Sequence, residues 1–358
     1  MRKAAFITIH VGLNFGSVLQ TIATSEVLQR LGLQPICINY IPPRVLRRYW
    51  PKKKLSKYFV NSVLYYPFGE FSRLMFKYYL QRNCRLTSSI YKEDNFAKKC
   101  PHADFYITGS DQVWNFIHNE GYDGHYFFDD ITGTKISYSS SIGMTNLTEE
   151  QKDILKLKLT DYKTLSVREE SAKELLASLG LNATHLIDPT IMLNWGAWKA
   201  YASRRLIKRP YLFVYLPYNT VDIELAYRTI RKIASKNNLK VVSYSFGIHR
   251  DKMADKTVMF AHPGDFLSLM YYADYVVTNS FHGTAFSINL NKRFSVYMPS
   301  KFSTRISSLL ELCELEKRLL TDEIGEEQLN EDINYDVVNK ILDVEREKTI
   351  AFLKKAIS

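Results

Sequence analysis

Residues 272–294 read YADYVVTNSFHGTAFSINLNKRF, a short apolar run, a polar turn and an apolar stretch at helical spacing. Tyr275, Val276 and Val277 suit a buried strand, and Ala285, Phe286, Ile288, Asn289 and Leu290 switch to helical spacing. Ser280-Phe281-His282-Gly283 lies between them. Open α/β sheets bind anions at such places, where a strand ends and a helix start presents free N–H groups. His282 is therefore either a ligand-site imidazole or a packed histidine in a capped turn, and the rest of the chain must decide.

The pattern recurs along the chain. Strands are predicted over 6–10, 34–40, 104–108, 135–139, 165–167, 211–216, 240–245 and 294–298. Helices are predicted after the GLNFGS loop at 12–17, and over 221–236, 266–272 and 336–355. Arg168 directly follows a strand, at the head of a helix running to about Leu179. Arg305 lies early in another helix. Strands alternating with helices imply parallel sheets. At 358 residues and 46% hydrophobic the chain can build two cores, since single cores rarely grow past roughly 250 residues. The predicted division is 1–193, 194–335 and a last helix over 336–358 packing back on the first domain. An acidic linker, GEEQLNEDIN, precedes that helix.

The charge is concentrated. Between residues 42 and 85 eleven Lys and Arg face one acid, Glu70, which accounts for +10 of the net +11. The wider insertion, about 42–92, is also rich in Tyr, Phe and Trp. Such a mixture suits an anionic membrane surface, a partly packed insertion, or a single-stranded nucleic-acid groove. No nucleic-acid module accompanies it, so nucleic acid is not expected as a partner.

Other chemistries are excluded by missing motifs. Cys37, Cys84, Cys100 and Cys313 form no C-x-x-C pair and the histidines no H-x-x-x-H, so neither a metal site nor a disulfide framework is expected. There is no G-x-S-x-G elbow and no P-loop, and GLNFGS departs from the dinucleotide fingerprint. No apolar run approaches the roughly 20 residues of a membrane span. Around His282 no acid occurs between Asp274 and Glu311, whereas Lys292, Arg293, Lys301 and Arg305 do. A ribose-holding carboxylate is thus missing, which favours a compact anionic donor. Asp111, just after a strand in Gly109-Ser110-Asp111-Gln112, is either a turn cap or the group that receives a sugar hydroxyl. Asp188, before a proline, reads as a turn residue.

Asn14-x-Gly16 with Gln20, Gly109-Ser110-Asp111-Gln112, Ser166-Val167-Arg168 and Thr278-Asn279-Ser280-Phe281-His282-Gly283 together resemble the polysaccharide pyruvyltransferase family. The resemblance implies two Rossmann-like parallel-sheet domains facing a cleft, GT-B-like. It implies pyruvyl transfer from phosphoenolpyruvate to a galactose-type hexose of a lipid-linked bacterial glycan, as a ketal. No cofactor is implied beyond that co-substrate, and a homo-oligomer stays open. His282 and Asp111 would be catalytic. Arg168, Ser280, Phe281, Gly283 and Arg305 would bind the donor, and Asn14, Gly16, Ser17, Gln20 and Asp111 the acceptor. Studied relatives carry an arginine where this chain has Ser280; Arg305 or the loop's own N–H groups would replace it. The expected location is the cytoplasmic face of the inner membrane, held peripherally. A sugar-nucleotide glycosyltransferase of similar architecture is the alternative, and a non-catalytic glycan-binding protein the third.

Overall fold

The computed structural model describes residues 1–49, 57–218, 223–299, 304–320 and 332–358, without the side chains of 47–49 and 57–66. Trp50, Lys52, Lys53 and Lys54 of the basic segment, Lys301, and most of the acidic linker lie outside the described residues. The chain divides into two compact units. Met1–Pro67, Phe76–Met192 and Glu345–Ser358 form the first, Phe68–Met75 and Leu193–Val344 the second.

In the first unit the elements run β1 (Lys3–Ile7), α1 (Phe15–Arg30), β2 (Gln34–Cys37), β3 (Tyr40–Ile41), α2 (Pro43–Tyr49), α3 (Lys57–Asn83), β4 (Ile90–Tyr91), α4 (Phe96–Lys99), β5 (Phe105–Thr108), β6 (Thr134–Ser137), α5 (Glu149–Leu159), β7 (Tyr162–Val167), α6 (Glu170–Ser178) and β8 (Ala183–His185). The sheet is parallel, in the order β2-β1-β5-β6-β7-β8. Neighbouring connections leave β1 in opposite directions, so the switch point lies between the carboxyl ends of β1 and β5. Local chemistry sets the helix starts. Asn14 caps α1 by accepting from the Ser17 N–H at 3.2 Å, and Thr148 with Gln151 forms a capping box on α5.

The second unit continues with α7 (Trp195–Trp198), β9 (Tyr211–Tyr215), α8 (Ile223–Lys236), β10 (Lys240–Tyr244), β11 (Lys256–Val258), α9 (Pro263–Tyr272), β12 (Tyr275–Thr278), α10 (Phe281–Asn289), β13 (Arg293–Tyr297), α11 (Thr304–Leu312), β14 (Leu319–Leu320) and α12 (Tyr335–Ile357), whose last turns belong to the first unit. Its sheet is also parallel, in the order β11-β10-β9-β12-β13-β14. Renumbered along this half alone, that is the 3-2-1-4-5-6 order of dinucleotide-binding sheets, with its switch point between β9 and β12. Ala226, Tyr227, Ile230, Ile233 and Ala234 form the buried face of α8, a spacing of three and four residues that fits a helix lying on a sheet.

Several expectations shift. The strand expected over 34–40 breaks after Cys37, and Tyr40–Ile41 pairs with Ile90–Tyr91 instead. β1 ends at Ile7 because Thr8 and His10 turn their side chains to loop partners. The helix after β12 starts at Phe281 rather than near Ala285, which places His282 in its first turn. The connector over 194–210 is packed rather than a bare linker: Trp198 is fully buried against Phe286, and Trp195 stacks on Tyr271 at 3.5 Å.

Candidate active site

Three of the four sequence motifs fall at a switch point, Ser166-Val167-Arg168 ending β7 instead, and the two units are built differently there. In the first unit Gly109 lets β5 leave its strand beside β1, since a Cβ there would sit 3.2 Å from that of Thr8. Asp111 follows with φ 76°, a left-handed conformation uncommon outside glycine. Its Oδ1 accepts from the Gln112 N–H at 2.9 Å and its Oδ2 from Ser17 Oγ at 2.8 Å. Local cap and buried acid are thus the same residue.

Arg168 is the centre of this half. Its side chain is 1% exposed, and its guanidinium lies 2.6 Å from Asp188, 3.6 Å from Asp111 and 3.8 Å from Glu169. Burial alone would lower its pKa, but Asp188, Asp111 and Glu169 raise it, so the cation is secure. Arg168, expected to face an anion, is surrounded by three carboxylates of its own unit. It directly precedes Glu169, which holds the N-cap position of α6 without a side-chain cap bond. Asp188 does more than turn the chain. It accepts from Thr190 N, Thr190 Oγ1 and Ser110 Oγ as well as from Arg168. Sequence spacing could not reveal this cluster, because its members come from three separate loops.

The expected acceptor residues divide by role. Asn14 caps the helix, and Gly16 is buried in its first turn. The Gln20 amide is fully buried and donates to Thr8 Oγ1 and Ile9 O, so it fixes the end of β1. Ser17 among them donates to Asp111. His10, one turn from this cluster in sequence, is held between Thr8 O and Asn39 Oδ1, each at 3.1 Å. Burial lowers its pKa.

In the second unit Thr278 ends β12 by donating to Tyr215 O at 2.8 Å and accepting from Ser280 N. Asn279 clamps the next loop through Tyr218 O at 2.7 Å. Gly283 is required for packing. A Cβ there would overlap the Thr278 hydroxyl and approach the Tyr215 ring to 3.0 Å. Ser280 is the N-cap of α10 but makes no side-chain cap bond, and no acid occurs in the first turn. The orphan N–H groups of that turn are therefore left to other acceptors. His282 is 5% exposed, its ring edge-on to Phe281 at 5.2 Å. The Arg305 guanidinium lies over the same Phe281 ring at 5.8 Å. Imidazole, aromatic ring and guanidinium thus form one packed row.

Two of the other cations expected near His282 lie elsewhere among the described residues. Lys292 and Arg293 sit at the amino end of β13, the opposite end of the sheet; Lys292 Nζ donates to Tyr271 O and Ala273 O, and Arg293 to Asn237. Among the described residues no group of three His, Cys, Asp or Glu is arranged to hold a metal ion.

The profile of the Polysaccharide pyruvyl transferase family matches residues 14–300. The chain belongs to that family. It is accordingly a transferase, and its match spans both switch points. No curated protein matches the chain. Among solved structures, the fold is similar to MnaA of S. aureus in its UDP co-structure, with 12% identity, TM-score 0.51, and 99% of this chain and 91% of that one covered. The UDP-GlcNAc 2-epimerase of Methanocaldococcus jannaschii is 10% identical, with TM-score 0.52 and coverage of 95% and 92%. Arabidopsis thaliana UGT89C1, complexed with UDP-L-rhamnose, is 10% identical, with TM-score 0.51 and 99% of each chain covered. These likenesses establish a GT-B-like fold of two parallel-sheet α/β halves for this polysaccharide pyruvyl transferase family member.

Proposed function

We propose that this transferase moves the pyruvyl group of phosphoenolpyruvate onto two hydroxyls of a galactose-type hexose in a lipid-linked glycan precursor, forming a ketal and releasing phosphate. The observation that carries the reading is the row of His282, Phe281 and Arg305 at a helix start lacking any acid. A small, highly anionic enol ester suits uncapped N–H groups and a buried guanidinium. A nucleoside would want a carboxylate for its ribose.

In this mechanism His282 gives a proton to the methylene carbon of phosphoenolpyruvate, and the electron pair of the double bond forms the new C–H bond. A sugar hydroxyl adds to the resulting cation-like carbon and loses its proton to a base, for which Asp111 is the candidate. The C–O bond to phosphate then breaks, the oxygen keeping the bonding pair, and a second hydroxyl adds and passes its proton to the departing phosphate to close the ketal. Arg305 and the N–H groups of α10 stabilise the donor and the leaving phosphate, with Ser280 and Gly283 shaping the turn. Arg168 acts by holding Asp111 in place.

Peripheral attachment to the cytoplasmic face of an anionic inner membrane belongs to the same reading. The concentrated positive charge supports it, as do Phe71, Leu74 and Tyr78 on α3, each more than half exposed. Among the described residues no helix is long and apolar enough to cross a bilayer.

The test is phosphate release from phosphoenolpyruvate by the purified chain with galactoside acceptors. Acceptor-dependent release is expected. Thermal stabilisation by a nucleotide sugar, with none by phosphoenolpyruvate, would instead favour glycosyl transfer.

A further inference from the structure

A polar pocket of about 460 Å³ lies in the first unit, lined by none of the residues assigned above. Pro42, Arg44, Lys92, Asn119, Glu120 and Asp123 line it. The volume falls within the ~300–1,000 Å³ of small-ligand sites. Its deep wall is fixed by hydrogen bonds. Arg44 Nη1 donates to Asn119 Oδ1 at 2.7 Å, and Asn119 Nδ2 donates to Gln112 O and Val113 O at 3.3 and 2.8 Å. Asp123 accepts from the Tyr40 hydroxyl at 2.7 Å and pairs with His125 Nδ1 at 2.7 Å, while the His125 ring stacks on Tyr40 at 4.3 Å. Lys92 and Glu120 are exposed and form the rim.

We infer that this pocket is a second glycan subsite, holding an uncharged pyranose ring next to the hexose that is modified. The inference rests on the acceptor reading above. Arg44 and Lys92 supply donors and Glu120 and Asp123 acceptors, which matches the mixed hydrogen bonding of ring hydroxyls. Phosphate fits poorly, because two carboxylates face the same space. A nucleobase fits poorly, because no aromatic ring among the described residues lines the pocket. Pro42 offers an apolar surface for the C–H face of a sugar.

The pocket wall is tied to the loop that carries the candidate base. Asn119 is bonded to the backbone of Gln112 and Val113, the residues that follow Asp111. Tyr126 is buried within the electrostatic reach of both Arg44 and Asp111. A chain whose modified residue lies at Asp111 would thus place its neighbour near Arg44. Burial raises the pKa of Asp123, but the bonds from His125 and Tyr40 outweigh it and hold the carboxyl below its ordinary range, leaving it an acceptor at neutral pH.

The experiment compares methyl β-galactopyranoside with methyl glycosides of galactose-containing disaccharides on the full chain. Saturation-transfer NMR measures affinity without donor, and phosphate release measures transfer. A disaccharide should bind about 10-fold tighter than the monosaccharide, a gain of about 1.4 kcal/mol. The Lys92→Ala/Glu120→Ala double variant, at exposed positions, should erase that gain and leave the monosaccharide unchanged; Arg44→Gln should do the same. No disaccharide advantage, or one that survives both variants, overturns the subsite. Displacement of the disaccharide by millimolar inorganic phosphate, lost in Arg44→Gln, overturns the sugar assignment in favour of an anion site. A variant-sensitive gain in binding without phosphate release from any acceptor sustains the subsite and removes the ketal reading.

Discussion

The two switch points have the same backbone plan and opposite charge. In the first unit one guanidinium, Arg168, is surrounded by Asp111, Asp188 and Glu169. In the second, His282 and Arg305 flank one phenyl ring at a helix start without an acid. The fold supplies strand ends and helix starts at both places, while the side chains gather carboxylates around a cation in one half and leave a helix start without an acid in the other. Function is therefore carried by the sites rather than by the shared architecture.

Removing His282 breaks the second half most directly. His282→Ala should lower turnover by about 10²- to 10⁴-fold if the imidazole transfers a proton, with the Michaelis constant for phosphoenolpyruvate changed far less. Near-normal turnover would end its assignment. Arg168→Met attacks the first half differently, by leaving three buried carboxylates without their cation. A loss of about 3–5 kcal/mol in folding stability is expected, read by denaturant titration; an unchanged midpoint would show that the cluster is not held by charge. Arg305→Ala should remove a charge-assisted contact of about 1.5–3 kcal/mol, seen as a Michaelis constant for phosphoenolpyruvate raised by roughly 10-fold or more. No change would hand the donor role to the N–H groups of α10 alone.

The smallest effect concerns acid sensitivity of the first unit. Burial lowers the pKa of both His10 and His185, so the folded state keeps them neutral. Their contribution to stability is fully present above the unfolded pKa, ~6.5. It is lost as pH falls below that value, because the unfolded chain binds protons that the folded chain does not. The melting temperature should drop between pH 7 and pH 5, with a shallower slope in His10→Gln. Identical slopes in parent and variant would remove His10 from the account.

Much of the architecture was legible because local pattern and global fold agree. The run of Tyr275, Val276 and Val277 did become a central strand, and the motif after it did start a helix. The helix began four residues early because Phe281-His282-Gly283 is polar in appearance yet wholly buried. Charges near His282 in sequence were poor guides for a topological reason: Lys292 and Arg293 open β13, whereas Arg305 follows its far end, so only Arg305 of these three shares the His282 end. The partners of Arg168 and the Arg44 pocket depend on loops brought together by sheet order. No spacing rule reaches across 20 to 80 residues of intervening chain. The carboxylates around Arg168 were hidden for that reason, since they come together only when β5, β7 and β8 are set side by side.

Asp111 carries one further consequence. A residue held at φ 76° can be exchanged without backbone strain for glycine or asparagine, and for few others. Asparagine would keep the turn and an oxygen for Ser17 while subtracting the charge; glycine would keep the turn alone. Any larger change alters conformation and chemistry together. Drift at this position is thereby confined to a very short alphabet, of which only the aspartate offers a carboxylate, so descendants of this chain can lose the acid there far more easily than they can replace it.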